Sequence, residues 1–76
     1  MNMNIDWIKI SSDDYKSIIN YNGIRYLLRI ERMDKSIWWY CIYIDDETYV
    51  NETTSSLKKA KEIINNKINE LISTSH

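Results

Sequence analysis

The chain has one glycine and no proline, and that glycine follows an asparagine in Tyr21-Asn22-Gly23-Ile24. Asn-Gly is the dipeptide that most readily supplies two consecutive positive φ angles, the requirement of a two-residue hairpin turn. It lies between two β-rich runs, 15–21 and 24–32, and so predicts an antiparallel hairpin. A two-residue turn pairs Tyr21 with Ile24, Ile19 with Tyr26 and Ser17 with Leu28. Local physics thus pins one register before any tertiary contact is considered.

Two further turns extend the pattern. Met33-Asp34-Lys35-Ser36 leads into a strand at 37–44, and Asp45-Asp46-Glu47 leads into a short strand near 48–50. An earlier strand at 5–10 exits through Ser11-Ser12-Asp13-Asp14. After 53 the period changes. Leu57, Ala60, Ile63, Ile64, Ile68, Leu71 and Ile72 fall on one face at helical spacing, which predicts a helix from an N-cap at Ser55 to about 72. Strands first and one helix last describe a single α+β domain over 1–76: an antiparallel meander of four to five strands with the C-terminal helix packed on one face.

The adjacent Trp38 and Trp39 raise a question of faces, because successive strand residues point to opposite sides. If the turn at 33–36 has an even count, Ile30 pairs with Trp39, Leu28 with Cys41 and Tyr26 with Tyr43. Ile19, Ile24, Tyr26, Leu28, Ile30, Trp39, Cys41, Tyr43 and Val50 then face the helix. The other face collects Lys16, Ile18, Asn20, Arg25, Leu27, Arg29, Trp38, Tyr40, Ile42, Ile44 and Tyr49. A bulge in that turn reverses strand 37–44 and exposes Trp39 instead. In either register one helix leaves an aromatic sheet face open, and Trp, Tyr and Arg are the residue types enriched at binding hot spots. The candidate partner-binding set is therefore Arg25, Leu27, Arg29, Trp38, Tyr40, Ile42 and Tyr49.

Ten Lys+Arg against eleven Asp+Glu give a net charge of −1, which argues against generic attraction to nucleic acid or anionic membrane. The sole histidine, His76, is terminal, and one cysteine, Cys41, allows no intrachain disulfide and no Cys/His zinc cluster. Cys41 among large apolar neighbours reads as a reduced, buried thiol of a cytoplasmic protein. A single glycine forms no glycine-rich phosphate loop. Asp13-Asp14 and Asp45-Asp46-Glu47 occupy turn positions without the alternating ligands and central glycine of a calcium loop. The expectation is a non-enzymatic protein with no catalytic residues, no cofactor, no metal and no membrane span.

Lys58, Lys59 and Lys61 stand at the start of the helix, where the macrodipole disfavours cations. With "SLKKAKEII" at 56–64, that segment resembles the lysine-rich helix start of double-stranded RNA-binding domains. The resemblance implies phosphate contact by Lys58, Lys59 and Lys61 alone. A small nucleic-acid-binding domain using Arg25, Arg29 and these helix lysines is the second expectation. The chain as a whole looks like small phage and mobile-element proteins of strands-then-helix layout, anti-CRISPR-like inhibitors included. That likeness implies an inhibitor that binds a host protein or defence complex in the host cytoplasm. A homodimer using the same sheet face is the third expectation.

Overall fold

The structure, a computed structural model, describes residues 4 to 74. Five strands, β1 (Ile8–Ser11), β2 (Asp14–Tyr21), β3 (Ile24–Asp34), β4 (Ile37–Ile44) and β5 (Glu47–Thr54), precede one helix, α1 (Leu57–Thr74). The strands form one antiparallel sheet in sequence order, a meander. The α+β layout is the one expected. β1 begins later than the strand expected at 5–10. β5 is eight residues long rather than a short piece around 48–50.

Asn22 and Gly23 take φ of 51° and 76°, and the turn they make sets Tyr21 opposite Ile24, Ile19 opposite Tyr26 and Ser17 opposite Leu28. The β4–β5 turn uses the same geometry without glycine: Asp45 and Asp46 take φ of 47° and 69°. Asp45 is clipped to β3, its amide donating to the Arg25 carbonyl at 2.8 Å and its carboxylate accepting from the Arg25 amide at 3.0 Å. Aspartate tolerates the left-handed region because its side chain can hydrogen-bond locally. At the helix start the cap is Ser56, one residue after the expected Ser55. Its hydroxyl accepts the Lys59 amide at 3.1 Å, and its carbonyl accepts the Ala60 amide.

The β3–β4 turn corrects the expected register. The pairing shifts between Arg32 and Asp34, so that Met33 is an extra residue, and Ile30 faces Tyr40, Leu28 faces Ile42 and Tyr26 faces Ile44. An inserted residue reverses every side chain beyond it. Arg32 holds the bulge: its guanidinium donates to the Asp34 and Lys35 carbonyls at 3.3 and 3.2 Å, pairs with Asp13 at 3.5 Å, and lies 5.8 Å from the Trp38 ring centre. Trp38, Tyr40, Ile42 and Ile44 therefore face the helix. Trp39, Cys41 and Tyr43 face away.

The core lies between the sheet and α1. Tyr15, Tyr26, Leu28, Ile30, Tyr40 and Ile42 meet Ala60, Ile64, Ile68 and Ile72, four helix residues one turn apart. Each fully buried isoleucine contributes about 1.5–3 kcal/mol of transfer free energy. All seven apolar residues expected on the helix face belong to this core or border it. Ile5 and Trp7 also border it, and the segment carrying them is tied to β2 by the Ser17 hydroxyl, which donates to the Asp6 carbonyl at 2.9 Å. No helix among the described residues is long and apolar enough to cross a membrane.

Candidate interaction face

With α1 on one side, the opposite sheet face is left without a covering element among the described residues. The ladders arrange it in rows across the strands. One row is Ile18–Leu27–Tyr43–Thr48 and the next is Ile8–Lys16–Arg29–Cys41–Asn51. The third is Asp14–Glu31–Trp39–Thr53. Apolar and aromatic residues thus flank a charged centre.

That centre is Arg29. Its guanidinium meets both carboxylate oxygens of Asp14, at 3.2 and 3.3 Å, and this bond holds it firmly protonated. Its Nε is shielded from solvent and has no hydrogen-bond partner among the described residues. Beside it Cys41 is fully buried although no second layer among the described residues covers it; Arg29 and Asn51 flank it on the adjacent strands. Burial pushes the Cys41 thiol up, partly offset by the Tyr43 hydroxyl and by Arg29. The Tyr43 phenol is raised in turn, chiefly by the Cys41 sulfur. A thiol held up by burial is a poor nucleophile at neutral pH. The Trp39 indole donates to the Asn51 side chain at 2.5 Å, which fixes its ring across β4 and β5.

The expected binding residues divide. Arg25, Leu27 and Arg29 occupy the open face as anticipated. Trp38, Tyr40 and Ile42 do not: the Met33 bulge turns them toward the helix, where Tyr40 is 4% exposed and Ile42 is 0% exposed. Tyr40 donates from its hydroxyl to Glu52 at 3.2 Å, and its phenol is raised by burial and by that carboxylate. Tyr49 falls at a second register shift, opposite the Ile42–Tyr43 step of β4, and is 52% exposed. Trp39, Cys41 and Tyr43 take the vacated places on the open face, beside Glu31, which the β3 alternation puts there in either register.

The expected phosphate-binding residues do not converge either. Lys58 and Lys59 are exposed on α1, on the far side of the sheet from Arg25 and Arg29. Lys61 lies over the Tyr15 ring, 4.8 Å from its centre. All three arginines face carboxylates: Arg25 with Asp46 at 3.6 Å, Arg29 with Asp14 and Arg32 with Asp13. A shallow groove along β5, bordered by Tyr49, Val50, Asn51, Glu52 and Lys67, is mostly polar and open. Among the described residues no group of three or more His, Cys, Asp or Glu could hold a metal ion.

Protein-family models, characterised proteins and solved structures give no match to this chain.

Proposed function

We propose that this protein acts without catalysis, as an interaction module that docks another protein on the open sheet face. The observation that carries this reading is the placement of Trp39, Tyr43, Leu27 and Ile18 around Arg29 on a face that α1 leaves uncovered. Aromatic residues and arginine dominate binding energy where they are desolvated on contact. Here they come with little ordering cost, since Trp39 is tied to Asn51 and Arg29 to Asp14. An inhibitor that occupies a surface of a host complex is one form this function takes. The nucleic-acid alternative is weaker, because each arginine is neutralised by an aspartate and the helix lysines lie on the other side of the sheet.

The test is a comparison of captured partners for the wild type, Trp39→Ala and a helix-side control, Lys58→Ala. Loss of a partner with Trp39→Ala alone supports the reading. Equal capture by all three overturns it. Nucleic acid bound with a steep salt dependence, and released in the Lys58→Ala variant, replaces it with the phosphate-binding reading.

A further inference from the structure

Four charged side chains form a square on the open face. Asp14 is directly opposite Glu31, and Lys16 is directly opposite Arg29. Like charges directly opposite across a ladder are destabilising. One diagonal relieves this strain, because Arg29 reaches Asp14. The other diagonal, Lys16 and Glu31, has no ion pair on either residue among the described residues. Glu31 acts on Arg29 only through longer-range attraction, so the square, with zero net charge, keeps one cation and one anion outside any direct ion pair on an otherwise uncovered face.

We propose that a second copy of this chain docks on this face about a two-fold axis, with Lys16 of each copy against Glu31 of the other. The inference rests on the reading that the open face is an interaction surface, and it names the partner. A two-fold interface must be self-complementary: residue i meets residue j, and j meets i. Lys16 and Glu31, on opposite corners of one square, satisfy that condition, while Arg29 and Asp14 on the other diagonal fall close to the axis and are already matched with each other inside each copy. The apolar row Ile18–Leu27–Tyr43 on one side of the square and Trp39 on the other supply the surface removed from water. Five strands spaced about 4.8 Å apart, from about 13 Å long in β1 to about 36 Å in β3, offer about 600 Å² per copy, at the small end of specific interfaces. That size fits a reversible, micromolar dimer rather than an obligate one.

The experiment is sedimentation of the whole chain over a concentration series, with two charge reversals. The wild type is expected to dimerise reversibly. Lys16→Glu alone and Glu31→Lys alone are each expected to weaken the dimer by about tenfold or more, since like charges then meet across the axis. An equimolar mixture of the two variants is expected to regain wild-type association, because the two reversals complement each other only between unlike copies. Each reversal also replaces a like-charge cross-strand pair by an opposite-charge one, so monomer stability in denaturant should hold or rise. Lost association therefore cannot be ascribed to unfolding. A wild type that stays monomeric throughout, or a mixture that fails to recover, overturns the dimer. In that case Trp39-dependent capture of a different protein keeps the interaction reading intact. Dimers unchanged in both reversals and in Trp39→Ala overturn both, because association then uses another surface.

Discussion

The two faces of this sheet are built from neighbouring residues of the same strands, and they solve the problem of burial differently. On the helix side, the rows Tyr15–Ile30–Tyr40–Glu52 and Ser17–Leu28–Ile42–Val50 are apolar at their centres and are closed by Ile64 and Ile68 of α1. On the open side, Leu27 and Cys41 are shielded, among the described residues, by their neighbours in the sheet, and Arg29 is held in place by an ion pair. The first face derives its order from close packing with another element. The second derives it from hydrogen bonds within the sheet, which leaves its aromatic surface available. Trp38 and Trp39 sit one residue apart and fall on either side of that divide.

The sharpest way to break the comparison is to remove its cause. Deleting Met33 takes out the bulge residue and should reverse β4, sending Tyr40 and Ile42 outward and Cys41 inward. The core then loses contacts of about the same size as the stability of so small a domain, and cooperative unfolding should disappear in thermal melts. A deletion variant that melts as the wild type does would show that the faces are interchangeable.

Trp38→Ala and Trp39→Ala come next. Trp38 borders the core and stacks beneath Arg32. Its loss should cost about 2–3 kcal/mol, below the range for a fully buried aromatic. Trp39→Ala should cost about 1 kcal/mol or less, with its effect appearing in association instead. Denaturant titrations at matched, dilute protein concentration measure both. The reverse ranking would return Trp39 to the core.

A smaller effect of the opposite sign is expected at the β4–β5 turn. Asp46 holds φ of 69° without glycine, and Asp46→Gly should stabilise the protein by about 0.5–1 kcal/mol. Asp45 keeps its clip to Arg25 in this variant, and only an exposed ion pair is lost. A lower melting temperature would mean that the Asp46–Arg25 pair outweighs the backbone strain.

The smallest effect lies at alkaline pH and separates the faces again. Burial raises Cys41 on the open side and Tyr40 on the helix side above their ordinary values of 9.0 and 10.0. In both cases the folded protein retains a proton that the unfolded chain releases. Stability is therefore full below the unfolded value and falls as pH rises through it toward the folded one. The decline should start near pH 8.5–9 with the thiol. Cys41→Ala should delay its onset to the tyrosine range. An unchanged profile in that variant would mean that the thiol is as solvated in the folded chain as in the unfolded one.

Much of this molecule could be read from local chemistry. Asn22-Gly23 determined the β2–β3 register to the residue, because two positive φ angles leave the turn one length. The spacing from Leu57 to Ile72 determined the helix and its buried face, because a 3.6-residue period has one apolar side. Alternation in 37–44 determined that one tryptophan would be inside and its neighbour outside. Which one was inside depended on a single uncounted residue, Met33, and its bulge is held by Arg32 reaching forward to the turn carbonyls and back to Asp13 in the β1–β2 turn. That arrangement is non-local, and its residues carry no pattern that marks it along the chain. The same holds for the square of Asp14, Glu31, Lys16 and Arg29. Its members are 17 and 13 residues apart in sequence, and only the assembled ladder shows which of these charges pair with each other and which do not.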